Sequence, residues 1–289
     1  MKSDMKRAAQ DPMFDPGRYT KDLRTGWNAA AAGYDRISGF FSEFTPEFAG
    51  FAEIAPGEKM LDVACGTGLA SLEAARRVGA AGAVTAVDLA PEMLRLASAK
   101  ALPPRGARIE FLEMNAEDLR FPDGRFDAVI CQMGLMLFAE PSRALEEMVR
   151  VVRRGGRVAC LVQGAPDKMI FTSLVMQCVL RHAPQFRTLG GPSLYAFGPR
   201  ENLARALAGA GLGEVAARRR EGSFVFSSAQ AYWEIFARGS GRLGGFLRGL
   251  GTSVRERIRE DCLAEAQKYG AGGKLKIPYE VVMARGGKR

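Results

Sequence analysis

Histidine is nearly absent from this 289-residue chain, where His182 stands alone. A metal centre built on imidazole ligands therefore has almost no material. Cysteine is sparse too. Cys65, Cys131, Cys160, Cys178 and Cys262 are scattered, odd in number and never in a C-x-x-C pair. That is the usage of a reducing compartment, here expected to be the cytoplasm, and not of a disulfide framework. No run of about 18 apolar residues occurs, so no membrane span is expected. The first residues, Met1-Lys-Ser-Asp-Met-Lys-Arg, are charged and lack an apolar stretch, so no secretory signal is expected there.

Apolar residues make up 47% of the chain, enough for a sizeable core. The net charge is +9 and unevenly placed: from Arg218 onward 15 lysines and arginines face 7 acids. The bland reading is a solvated basic surface, and the sharper one a docking face for an anionic partner. The charges alternate with glycines and acids rather than aromatics, which weakens a nucleic-acid role.

Residues 1–17 carry Asp11-Pro12 and Asp15-Pro16-Gly17 and read as a flexible arm. Residues 18–57 form a helical cap: pieces over 18–42, with Trp27, Ala31, Tyr34 and Ile37 at helical spacing, then a helix over 44–55. From residue 58 to 163 strands and helices alternate. Strands are expected at 59–64, 83–88, 108–113, 126–131 and 156–163, with helices at 67–78, 91–100 and 141–153. This rhythm predicts an α/β fold with a mostly parallel sheet covered on both faces. Residues 165–195 and 228–273 break the rhythm and are expected to be substrate-facing insertions. A helix over 199–210 and strands over 213–226 and 277–284 complete a single domain running from 18 to 289.

The stretch Lys59-Met-Leu-Asp-Val-Ala-Cys-Gly-Thr-Gly68 organises the rest. An apolar strand runs into a glycine turn and then a helix, the opening of a nucleotide-binding unit. Ser71 occupies the third small position of a dinucleotide fingerprint. Asp62 lies four residues before Gly66, where it would repel a pyrophosphate by roughly 1–4 kcal/mol between bulk-water and surface dielectrics. It suits a positively charged group instead. Asp88 ends the second strand, where a carboxylate can accept both hydroxyls of a ribose. A ribose, a cation and no phosphates describe S-adenosylmethionine.

These residues carry a family resemblance. Leu61 to Gly68, Val87-Asp88-Leu-Ala-Pro-Glu-Met93, Asn115 to Asp127 and Leu145 to Gly156 follow one another as four motifs. Together they resemble the class I S-adenosylmethionine-dependent methyltransferases of the ubiquinone/menaquinone C-methyltransferase group and its small-molecule relatives. The resemblance implies a Rossmann-like sheet of seven mostly parallel strands, the last antiparallel, with helical lid insertions. It implies that Asp62, Ala64, Gly66 and Gly68 hold the methionine moiety and that Asp88 binds the ribose. Leu89 and Met93 would pack on the adenine, and Asn115 and Ala116 would meet its edge. The family usually has Asp where Asn115 stands. Gln132 and Met133 would line the path to the transferred methyl, and Tyr34 would cover the cofactor. S-adenosylhomocysteine is the implied product.

Plainer roles exist for several of these residues. Asp88 can cap a helix, Met93 can be core, Asn115 can make an Asx-turn, and Trp27 and Tyr34 can be core staples. Methyl transfer needs a base only when the acceptor is not already nucleophilic. His182 is the candidate, with Tyr195, Tyr232 and Glu234 behind it. Met169, Phe171, Met176, Phe186, Tyr195 and Phe236 in the insertions suit an apolar or aromatic small acceptor, or an ordinary core. Arg181, Arg187 and Arg200 are candidate anchors for an acceptor carboxylate or phosphate. No Asn/Asp-Pro-Pro-Tyr run is present, which speaks against nucleobase acceptors. An RNA or protein methyltransferase, a non-catalytic binding module and, more distantly, a NAD-dependent reductase are the alternatives. A monomer or homodimer is expected.

Overall fold

The computed structural model describes residues 14–100, 102–239 and 241–289, the side chains of 187–189 excepted. Most of the arm expected over 1–17 lies outside the described residues. Its end is already ordered: Asp15 Oδ1 accepts from Gly17 and Arg18 N–H, and Pro16 opens helix α1, Pro16–Phe41. A capping aspartate followed by proline is a strong helix start. Helix α2, Thr45–Phe51, follows.

Five parallel strands come next: β1 Lys59–Val63, β2 Ala83–Asp88, β3 Ile109–Glu113, β4 Phe126–Gln132 and β5 Val152–Gln163. Helices α3 Leu69–Val78, α4 Pro91–Ser98 and α5 Pro141–Val151 connect them. The second half contains α6 Ile170–His182, α7 Arg200–Gly209 and β6 Leu212–Phe226. It ends with α8 Ala229–Gly239, α9 Gly241–Gly249, α10 Thr252–Gln267, the two-residue β7 Gly270–Ala271 and β8 Lys274–Lys288. The sheet order is β3-β2-β1-β4-β5-β8-β6, with β8 antiparallel to both neighbours and β7 paired to β8. The expected seven-stranded sheet is thus present, with β7 as an addition.

The chain steps from β1 outward to β3 and returns to β4 on the other side of β1. The register sets Asp62 beside Ile130. This reversal opens a crevice at the carboxyl ends of β1 and β4, where ligands bind in open α/β sheets.

Helix α1 is continuous where separate pieces were expected. Glycine costs a helix about 1 kcal/mol relative to alanine, and Gly26 and Gly33 sit inside it. Both are needed for close packing. A Cβ at Gly33 would stand 2.9 Å from the Arg238 carbonyl oxygen, and one at Gly26 would stand 3.0 Å from that of Gly241. The helix is thereby clamped onto α8 and α9, across the mouth of the crevice. The insertion aromatics divide in two. Tyr232 and Trp233 are core, whereas Phe171, Phe186, Tyr195 and Phe236 also line a cavity.

Candidate active site

The crevice is framed by strained backbone. Ala64, just past β1, has φ 57°, and Met133, just past β4, has φ 62°. Left-handed conformations of non-glycine residues cost about 1–3 kcal/mol each and gather at functional sites. Between them runs the glycine turn. Gly66 has φ 54°, and a Cβ there would lie 3.3 Å from the Tyr34 ring. Thr67 Oγ1 donates to Asp35 Oδ1 at 2.5 Å, and Lys100 Nζ joins the same oxygen at 2.9 Å. The turn is therefore tied to α1.

Two carboxylates end the first two strands. Asp88 accepts from Gly66 N–H at 2.8 Å and Ala90 N–H at 2.9 Å. Burial raises its pKa above the usual carboxylate value, and the backbone donors pull it back. Asp88 both shapes the turn and lines the cleft. Asp62 is 1% exposed. Its Oδ2 accepts from Ser71 Oγ at 2.6 Å, while Oδ1 has no partner. Burial pushes its carboxyl up to about 7, against the lowering effect of Ser71. The serine that spoiled the dinucleotide fingerprint thus has a role: it holds Asp62.

A second orphan oxygen faces the same recess. Thr45 Oγ1 spends its proton on the Phe41 carbonyl and accepts from Gln132 Nε2 at 2.9 Å. That fixes the amide, leaving Gln132 Oε1 buried and unpartnered. Asp62 and Gln132 line one small recess with Tyr34, Ala64 and Met133. Two buried acceptors without donors are costly, and together they suit a cationic, multiply donating group such as an ammonium.

The other expected residues gather along the cleft. Tyr34, Ala64, Gly66, Leu89, Met93, Asn115, Ala116, Gln132 and Met133 all line it. Gly68 does not; its φ of 85° starts α3. Met93 is 2% exposed and packs with Ala31 and Ala90, so it is core and cleft wall together. Asn115 Oδ1 accepts from Glu117 N–H at 3.1 Å in an Asx-turn, with a second lone pair left for a ligand donor. Trp27 meets Tyr34 edge-on at 5.4 Å. Glu117, which lies inside the third motif but has no role implied by it, also lines the cleft and accepts from Glu140 N–H at 3.0 Å.

Beside the cleft lies a cavity of about 500 Å³. Leu23, Trp27, Tyr34, Met133 and Leu137 line both spaces. Its walls come from α1, α6, the 190–195 segment and the facing ends of α8 and α9. The 165–195 insertion contributes heavily, while 228–273 supplies only Phe236, Arg242 and Leu243. Helix α1 is the wall that sequence patterning missed. Arg242 lies over the Tyr19 ring at 5.1 Å and the Phe186 ring at 5.6 Å and donates to the Gly190 carbonyl.

His182 is not brought to either space. It ends α6, and its Nε2 lies 3.2 Å from Asp261 Oδ2 on α10, beside the Arg181–Asp261 ion pair. The lone histidine braces two helices, and the base role expected for it has no geometric support. Tyr232 donates to the Phe171 carbonyl, and Glu234 accepts from Gln230 Nε2; neither lines the cavity. Arg200 faces Glu201, and the Arg187 side chain lies outside the described residues. Tyr195 alone of the candidate bases reaches the cavity. Among the described residues no cluster suits a metal ion, and no helix is long and apolar enough to cross a membrane.

The arginine run on β6 is neutralised within the fold. Arg218 faces Glu47, Arg219 faces Glu280, and Arg220 faces Glu43 and Glu47.

A family model described as a methyltransferase domain matches residues 61–160. The chain is 45% identical over 109 residues to an uncharacterised protein of Mycobacterium tuberculosis, a match spanning 37% of this chain and 38% of that one. It therefore covers well under half the length of that relative. It is 31% identical over 179 residues to a demethylmenaquinone methyltransferase of Geobacillus, covering 62% of this chain and 76% of that one. It is 30% identical over 175 residues to an aklanonic acid methyltransferase of Streptomyces, covering 58% and 79%. A solved structure of phosphoethanolamine N-methyltransferase 2 from Haemonchus contortus, in complex with S-adenosyl-L-methionine, shares the fold. Its TM-score is 0.54 at 16% identity, over 91% of this chain and 57% of that one.

Proposed function

This chain belongs to the class I S-adenosylmethionine-dependent methyltransferases, and we propose that it methylates a small apolar molecule with a ring body. The acceptor occupies the 500 Å³ cavity beside Tyr34 and Met133. The size and apolar walls suit a drug-sized ligand. The relatives named for demethylmenaquinone and aklanonic acid support a ring-type acceptor.

The observation that carries the donor site is the pair of orphan oxygens, Asp62 Oδ1 and Gln132 Oε1, in one recess. The ammonium of S-adenosylmethionine supplies the missing donors. Asp88, at the next strand end, accepts the ribose hydroxyls, and Leu89, Met93, Asn115 and Ala116 hold the adenine. The bound cofactor brings a methyl group already activated on a sulfonium. The chain's own task is to orient the acceptor and exclude water. Tyr34 and Met133 line the recess, the cleft and the cavity together, and so form the junction between donor and acceptor. Paired arginines on β6 leave the macromolecular reading without a free basic strip there.

Calorimetry with S-adenosylhomocysteine tests the donor site. Wild type binds it and does not bind NAD. Asp88→Ala removes a charge-assisted acceptor and lowers affinity about 10- to 100-fold. Unchanged binding by this variant would show that the cleft has been assigned to the wrong ligand.

A further inference from the structure

The walls of the proposed acceptor cavity are mostly apolar and carry a buried chain of hydrogen bonds. Thr172 Oγ1 donates to Gln163 Oε1 at 2.7 Å and lies 3.0 Å from the Tyr195 hydroxyl. A threonine hydroxyl has one proton, and Gln163 holds it. Tyr195 is then the donor to Thr172. The chain therefore runs Tyr195 to Thr172 to Gln163 and ends in two unused groups. Gln163 Nε2 carries two N–H donors with no hydrogen-bond partner among the described residues, and the Tyr195 oxygen keeps a lone pair. Gln163 is 7% exposed and Thr172 8%, and all three residues line the cavity.

Two other polar side chains on these walls are engaged within the protein. Arg242 donates to the Gly190 carbonyl and lies over Tyr19, and Ser193 Oγ accepts from Tyr195 N–H. The chain also stands at the reactive end. Gln163 closes β5, whose Leu161 carbonyl accepts from Met133 N–H at 2.7 Å. It is one strand away from the junction with the donor cleft, while Arg242 and Phe186 mark another side of the cavity.

We infer that Gln163, Thr172 and Tyr195 form a recognition site for a phenolic or enolic hydroxyl of the acceptor. The Gln163 amide donates to the hydroxyl oxygen, and the Tyr195 oxygen accepts the hydroxyl proton. A ketone or an ether satisfies only the Gln163 end, and a hydrocarbon leaves both ends unpaired. Thr172 couples the two ends and fixes the amide. These are positioning residues: burial pushes the Tyr195 hydroxyl up to about 12, so it stays protonated near neutral pH and serves no base role there. The inference rests on the cavity being the acceptor site of a methyltransferase.

Three probes of similar shape test it: 1-naphthol, 1-methoxynaphthalene and 1-methylnaphthalene, each titrated into protein whose binding of S-adenosylhomocysteine has first been verified. In Gln163→Leu, 1-naphthol and 1-methoxynaphthalene weaken about five- to tenfold, as expected for one neutral hydrogen bond, and 1-methylnaphthalene does not weaken. Tyr195→Phe weakens 1-naphthol alone. A variant that weakens all three probes equally would mark the chain as merely structural. Indifference of every probe to the variants, or failure of wild type loaded with S-adenosylhomocysteine to bind any probe, would overturn the inference. Failure to bind S-adenosylhomocysteine at all would instead overturn the donor-site reading.

Discussion

Asp62 shows how one buried carboxylate ties stability to ligand binding. Burial raises its pKa from 3.8 to about 7. Between those values the folded protein holds a proton that the unfolded chain has released. The contribution of Asp62 to stability is therefore greatest below its ordinary pKa and is lost as pH rises toward 7. An ammonium at the orphan Oδ1 reverses the preference and favours the carboxylate. Binding of S-adenosylhomocysteine at pH 7 should then release up to about half a proton. The release should fade at higher pH and vanish in Asp62→Asn. Calorimetry in buffers of different ionisation enthalpy measures it; proton uptake, or equal release from Asp62→Asn, would contradict this account. The two strand-end carboxylates were legible in sequence because charge at the end of an apolar strand has few structural uses. The orientation of Gln132 was not legible, because it depends on Thr45, 87 residues away. His182 misled for the opposite reason: rarity suggested chemistry, and only packing revealed its partner Asp261.

At the level of elements, α1 adds a shared wall to the crevice of the sheet and to the cavity beside it. It supplies Leu23, Trp27 and Tyr34 to both spaces, and Asp35 ties it to the glycine turn. Its glycines weaken it locally and allow it to dock. Gly33→Val would drive a side chain against the Arg238 carbonyl, 2.9 Å from the Cβ position. The expected cost is about 1–3 kcal/mol, seen as a lower melting temperature. Because α1 walls the cavity, naphthol binding should fall more than binding of S-adenosylhomocysteine. Equal melting temperatures would show that α1 is not clamped through this contact. The five parallel strands were legible from their apolar runs and the turns that bound them. The single α1 was not, because its glycines are explained by α8 and α9 rather than by neighbours in sequence. The same limit applies to the insertions, whose aromatics divide between core and cavity wall by tertiary position alone.

For the molecule as a whole, donor and acceptor sites differ in how they are written in the chain. Apart from the α1 residues Thr20, Leu23, Trp27 and Tyr34, the proposed donor cleft is lined from within residues 59–139, mostly by strand ends and turns, where backbone geometry dictates residue type. The proposed acceptor cavity is assembled mainly from α1, α6, the 190–195 segment and the α8–α9 corner. No local pattern announces it, and its polar chain joins residues from β5, α6 and a loop. Charge shows the same contrast. The excess of basic residues after Arg218 reads in sequence as a solvated surface or a docking face, and in the fold Arg218, Arg219 and Arg220 meet Glu43, Glu47 and Glu280 from distant elements. A largely apolar cavity beside the proposed donor cleft, with Arg218, Arg219 and Arg220 paired, supports the proposal of a small acceptor. The most direct test is incubation of the protein with methyl-labelled S-adenosylmethionine and an extract of its source cells, followed by separation of solvent-extractable, protein and RNA fractions. Label in the solvent-extractable fraction, lost in Asp88→Ala, is the predicted result; label confined to protein or RNA would contradict the account.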